Sequence, residues 1–224
     1  MLTGYAAGDP LEAGGGDGAP ALLAECRELG ARFEHVDVDL SEPEAPARIV
    51  AAAVEAFGRV DALVAAHAHS TLTPLGSLDA AEIDRHLIVN VRAALLLIEA
   101  FAAAHDSARG QGRIVLFSSG QRLGPMAAEL AYAASKGGIE ALVVSLADTL
   151  ADEEITVNAI NPGPTDTGRS RRGDYEAIRA QFPAGRWGTP EDAARAVAWL
   201  VSEEASWVTG QVLDSEGGFR RRIR

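Results

Sequence analysis

The chain has 224 residues, 47% of them hydrophobic and 23% charged, enough for one well-buried core and short for two. With 20 basic against 32 acidic side chains, its net charge of −12 repels polyanions and argues against nucleic acid as a partner. A lone Cys26 allows no internal disulfide, no basic-then-apolar leader opens the chain, and the most apolar stretch, AALLLIEAFAAAH, is short for a bilayer and carries Glu99. A cytoplasmic protein with no membrane partner is therefore expected. In chain order, MLTGY reads as the end of a strand, EAGGGDGAP as a loop and PALLAECRELGA as a helix. FEHVDVDL then predicts a strand, EAPARIVAAAVEAFG a helix, and VDALVAA a strand. AAEIDRHLIVNVRAALLLIEAFAAA is one long helix, GRIVLFSS a strand, and ELAYAASKGGIEALVVSLADTLA a second long helix. ITVNAIN is a strand, PEDAARAVAWLVSEE a helix and GQVLD a last strand, with TDTGRSRRGDYEAIRAQFPAGRWGTP between them as a lid. Apolar strands alternating with helices predict an α/β fold, a doubly wound parallel sheet with helices on both faces, in a single domain over residues 1–224.

The chemistry concentrates in YAASK. Tyr132 and Lys136 lie four apart on a predicted helix and share a face, so a phenol and an ammonium can enter one cavity. A nearby cation favours the phenolate, which predicts a lowered Tyr132 pKa and a side chain able to exchange a proton with a carbonyl or alcohol oxygen. An isolated pair of this kind is commonly a surface feature. Here Ser119 ends the strand RIVLFSS at the carboxyl edge where open α/β sheets place ligands, and Asn90 interrupts an apolar helix. A buried amide bonded to backbone is the plainer reading of Asn90. INPGPTDTG follows another strand, and its Pro-Gly turn brings main chain to the same edge.

Together these residues resemble the short-chain dehydrogenase/reductase family, in the subgroup similar to 3-oxoacyl-[acyl-carrier-protein] reductases. A Ser precedes the Tyr-x-x-x-Lys by thirteen residues, Asn90 lies in the preceding long helix, and Pro162-Gly163 follows the Tyr by thirty. TGQVLDSEGG matches the family's C-terminal Thr-Gly-Gln and Gly-Gly, so the likeness runs from about residue 33 to 218. The resemblance implies a Rossmann-like fold and a nicotinamide-dependent oxidoreductase acting on a small-molecule ketone or secondary alcohol. It makes Tyr132 the general acid or base, Ser119 the holder of the substrate oxygen, and Lys136 the ribose contact. Asn90 would anchor a water that continues the proton relay. It places Asp39 and Leu40 at the adenine, Ala66 at the pocket wall, Pro162 and Gly163 in the cofactor turn, and Thr165 and Thr167 at the carboxamide. Asp39 also reads as a local cap, as do the threonines. The cofactor would be NAD or NADP, undivided because the second strand ends without a neighbouring Arg, Lys or acid.

The pattern breaks twice. The family's Asn-Asn-Ala-Gly is here Ala65-Ala66-His67-Ala68, which removes a side-chain amide from the pocket. His67 and His69 invite a metal, but with no carboxylate or Cys cluster beside them none is expected. The second break is at TGYAAGDP, which imitates the family's phosphate-binding glycine turn. Only one helical segment fits between it and FEHVDVDL, so residues 1–5 read as the family's second strand. The first strand, first helix and true glycine loop are then absent, and we expect the native chain to begin upstream. A non-catalytic binding or interaction module is the rival reading. Leu95, Leu96, Leu142 and Val143 read as apolar outer positions of the two long helices or as cover for the sheet, and the resemblance, in whose family such helices pair between subunits, implies a homo-oligomer, a dimer or tetramer. The basic runs Arg169, Arg171, Arg172 and RRRIR read as solvated charge or as a contact for an anionic substrate or carrier.

Overall fold

Alternate residues of the central strands feed two separate cores, which is why the sheet is covered on both faces. The computed structural model describes residues 2–4, 26, 28, 30, 32–167 and 175–221. Strands β3 (Ala62–Ala65), β4 (Gly112–Phe117), β5 (Ile155–Asn161) and β6 (Val212–Asp214) form a parallel sheet in that order. Ala62 pairs with Arg113, Gly112 with Ile155 and Ala159 with Val212. On one face Ile114, Leu116, Val157 and Ala159 meet Ile98 and Phe101 of helix α3 (Ala93–Ala104) and Ile139 and Val143 of helix α4 (Leu130–Thr149). On the other, Val115 and Ile160 meet Leu200 of helix α6 (Pro190–Leu200). That helix starts in a reciprocal capping box between Thr189 and Asp192. A short helix α5 (Tyr175–Arg179) lies within the expected lid; its residues 168–174 are outside the described residues.

Helix α1 (Ala45–Phe57) has Pro46 in its first turn and ends where Gly58 adopts a left-handed φ of 78°. It joins Val38, Leu40, Ala93 and Leu97 in a third cluster. The FEHVDVDL strand is shorter than expected: only β2 (His35–Asp37) is ladder-bonded, because Val38 and Leu40 turn inward and Asp39 starts a turn. Strand β1 (Leu2–Gly4) pairs with β2 in parallel, Leu2 opposite His35. Among the described residues no ladder joins this pair to β3, and Val64 of β3 is 42% exposed. Residues 2–4 therefore form a strand, as expected, and it lies beside β2. The helix expected at PALLAECRELGA lies mostly outside the described residues.

Two expectations need correction. The long helix is helix α2 (Ala80–Leu87), a π turn over Ile88–Arg92 and then α3. The extra residue per turn falls at Asn90, whose side chain is drawn to a neighbouring loop. The run Ala80–Ala104 and helix α4 are both long and apolar enough to cross a membrane by composition; each carries a face packed in the sheet's core. Val143, expected on an outer face, is fully buried, and the adjacent Val144 is the exposed residue. Leu95 is exposed as expected.

Candidate active site

Strand ends and the N-terminal half of α4 deliver the predicted groups to one place. Ser119 follows β4, and Tyr132 and Lys136 occupy successive turns of α4. Burial pushes the Tyr132 phenol up to about 12, a hydrogen bond with Ser119 acts the other way, and the Glu129 carboxylate adds to the rise. Lys136 is buried and donates to the Phe117 carbonyl at 2.8 Å. Burial brings its ammonium down to about 8. Its Nζ sits 5.8 Å from the centre of the Tyr132 ring. The expectation that the lysine lowers the phenol's pKa is thus corrected: the ammonium bonds a strand carbonyl and faces the ring, and desolvation dominates. At neutral pH the phenol holds its proton, as a general acid must.

Asn90 takes the plainer of its two readings. Its Oδ1 accepts from the His69 N–H at 2.6 Å, and its Nδ2 donates to the His69 carbonyl and the Ser135 hydroxyl, each at 2.9 Å. Both amide hydrogens are engaged, so a water held by Asn90 would have to donate to one of its oxygens. Lys136, Asn90, His67, Ala65 and Phe117 line a small pocket at the strand ends. His67 bonds the Val89 carbonyl at 3.0 Å, and burial, then the Lys136 charge, lower its pKa to about 4. A neutral imidazole therefore occupies this wall.

The remaining predicted residues divide. Leu40 is a core side chain and offers a ligand only its backbone. Asp39 accepts from the Ser41 N–H at 2.8 Å, the local-cap reading. Ala66 is exposed beside the pocket wall. Pro162 is half-buried, and Gly163 has a φ of 63°. A β-carbon at Gly163 would lie 2.4 Å from the Glu216 Cβ, so both backbone and space demand glycine. Thr165 donates to the Gly163 carbonyl, and Thr167 is exposed at the edge of the described residues.

Several residues here escaped sequence reading. Asn161 ends β5, donates to Asp214 and Glu216 at 3.0 and 2.9 Å, and accepts from the Gly163 N–H. Glu216 in turn pairs with Arg221, so the described part of the basic tail is tied inward. His69 is accompanied by a carboxylate after all. His69, Glu82 and His86 bring ligand-type atoms within 4.8 Å of one another. Glu82 and His86 stand one turn apart on α2, and only the fold brings them to His69.

The chain matches the family model described as enoyl-(acyl carrier protein) reductase over residues 16–220. It is 44% identical over 198 residues to the uncharacterized oxidoreductase YjdA of Bacillus subtilis, covering 88% of this chain and 79% of that one. It is 34% identical over 207 residues to cis-4-hydroxycyclohexanecarboxylate dehydrogenase of Sinomonas cyclohexanicum, covering 91% and 83%. A solved mutant short-chain dehydrogenase/reductase of Serratia marcescens superposes with a TM-score of 0.85 at 28% identity, over 97% of this chain and 85% of that one.

Proposed function

Because the chain belongs to the short-chain dehydrogenase/reductase family of oxidoreductases, we propose that it interconverts a ketone and a secondary alcohol with NAD or NADP. The observation that carries this reading is the Tyr132 phenol, beside Ser119 and one helical turn from a buried Lys136. The pocket suits the ribose end of a nicotinamide cofactor. Lys136 has three N–H groups, and the Phe117 carbonyl takes one, so a ligand hydroxyl can accept another. The Pro162-Gly163 turn presents main chain to the same edge. When bound, the reduced cofactor supplies hydride to the carbonyl carbon.

The protein's part is proton and charge management. Ser119 donates a hydrogen bond to the substrate oxygen and holds it beside Tyr132. As negative charge grows on that oxygen, the Tyr132 O–H proton moves to it and the C=O becomes C–O–H. The phenolate left behind is stabilised by a hydrogen bond from Ser119, which favours the charged form. In alcohol oxidation the phenolate removes the same proton. Asn90 holds the loop that walls the site. A cytoplasmic, homo-oligomeric protein with a small carbonyl or alcohol substrate is the accompanying proposal, the exposed Leu95 and Val144 offering apolar helix faces.

A second reading, a binding module without turnover, is favoured by the lack, among the described residues, of a ladder between β1–β2 and β3. Fluorescence titration with NADH and with NADPH separates the two. Saturable binding with turnover of a ketone panel supports the enzyme; no binding to either nucleotide refutes it for this chain.

A further inference from the structure

Behind Tyr132 lies a buried polar cluster that proton transfer does not use. His69 and His86 are fully buried, their rings meeting edge-on at 4.5 Å, and the His86 ring stands edge-on to Tyr132 at 6.4 Å. Glu82 organises the group. Its Oε1 accepts from His69 Nε2 at 2.7 Å and from the Thr71 hydroxyl. Burial pushes its carboxyl up, but the hydrogen bonds from Thr71 and His69 outweigh that and hold it ionised. His86 Nδ1 donates to the Glu82 carbonyl at 2.9 Å, and its Nε2 accepts from the Thr71 N–H at 3.4 Å. These bonds engage both ring nitrogens of His86.

The cluster sits on the segment that joins two parts of the site. At one end, Asn90 holds the His69 backbone by both its N–H and its carbonyl. At the other, Thr73 caps the helix that carries Tyr132: Leu130 N–H donates to its carbonyl at 3.3 Å and Ala131 N–H to its hydroxyl at 3.0 Å. Glu82 grips the middle, at His69 and Thr71. We infer that Glu82, with His69 and His86, is a positioning device for Tyr132. It fixes residues 69–73, and through Thr73 the first turn of α4, so that the phenol stays aligned with Ser119.

The same three side chains are of metal-binding type, but the bonds favour the hydrogen-bonded arrangement. The 2.7 Å separation of His69 Nε2 and Glu82 Oε1 is a hydrogen-bond length, and His86 Nδ1 is occupied by a helix carbonyl.

The inference rests on the proposed oxidoreductase reading, and its test has one arm that needs no turnover. Glu82→Ala is expected to lower kcat ~10- to 100-fold while leaving the nicotinamide cofactor's KM within about twofold, since misalignment acts on chemistry rather than on a remote contact. Glu82→Gln retains an acceptor oxygen for His69 and Thr71 and is expected to recover most of the rate. In hydrogen exchange, Glu82→Ala should expose the Leu130 and Ala131 amides together with those of residues 69–73, about tenfold or more. If Glu82→Ala does not fold, Thr71→Val, which removes one of the two bonds to Oε1, serves for both arms. An unchanged kcat would overturn the inference, as would wild-type protection at Leu130 and Ala131. So would one tightly bound metal ion per purified chain that Glu82→Ala abolishes. A wild-type protein without turnover would sink the functional reading alone, and the exchange result would still decide the coupling.

Discussion

Replacing Lys136 by Met tests the electrostatics of the site in the cofactor-free protein. Lys136 is 2% exposed, and burial lowers its ammonium from 10.5 to about 8. A difference of two to three pK units corresponds to roughly 3 kcal/mol of destabilisation carried by the charged form at neutral pH. The sign follows from proton counts. Between about pH 8 and 10.5 the unfolded chain binds the lysine proton and the folded chain does not, so stability rises with pH in that window. It falls back as pH drops through the folded value. Integrating to pH 9.5, just short of the ordinary tyrosine range, leaves a rise of about 2 kcal/mol from pH 7. Met fills the same channel without charge, and the lost bond to the Phe117 carbonyl offsets about 1 kcal/mol of the relief. Denaturant unfolding of both proteins at pH 7, 8, 9 and 9.5 isolates the effect, because other groups cancel in the difference. Lys136→Met should be the more stable at pH 7, with the gap closing toward pH 9.5. Parallel profiles would show that the ammonium is hydrated in the folded protein, and the buried-cation account of this site would fail.

Other outcomes follow from the same geometry. Tyr132→Phe should cut turnover at least ~100-fold, the scale of general acid catalysis, with nucleotide binding in fluorescence titration retained. The His67 imidazole should titrate near pH 4 by NMR; in Lys136→Met its midpoint should rise yet stay below 6.5, since burial is the larger cause. Gly163→Ala forces a left-handed φ on a residue with a β-carbon and drives it into Glu216. It should cost about 1–2 kcal/mol from the backbone alone, read as a lower denaturant midpoint.

Much of the fold is legible in one dimension. ITVNAIN is a strand over the residues expected, since Ile155, Val157 and Ala159 alternate with polar residues at the strand period between a turn and Pro162. The four-residue step from Tyr132 to Lys136 and the thirteen from Ser119 are spacing facts, which a helix and a strand end convert directly into proximity. The limits appear wherever the answer depends on what lies across a gap. Val143 and Val144 are adjacent and equally apolar, and only the direction of α4 over β5 decides which one is buried. His69 looked solitary because its partners, Glu82 and His86, come from a helix after a long loop. The direction of the Tyr132 shift was misjudged for a related reason: a cation four residues away suggested attraction, whereas the fold turns the ammonium to the Phe117 carbonyl and removes the phenol from water. Residue order by itself determined the parallel α/β arrangement and the shared helix face of Tyr132 and Lys136, because both arise from local periodicity. Tertiary structure alone decided the charge states and the clamp on His69, because desolvation and long-range hydrogen bonds exist only once distant segments are packed together.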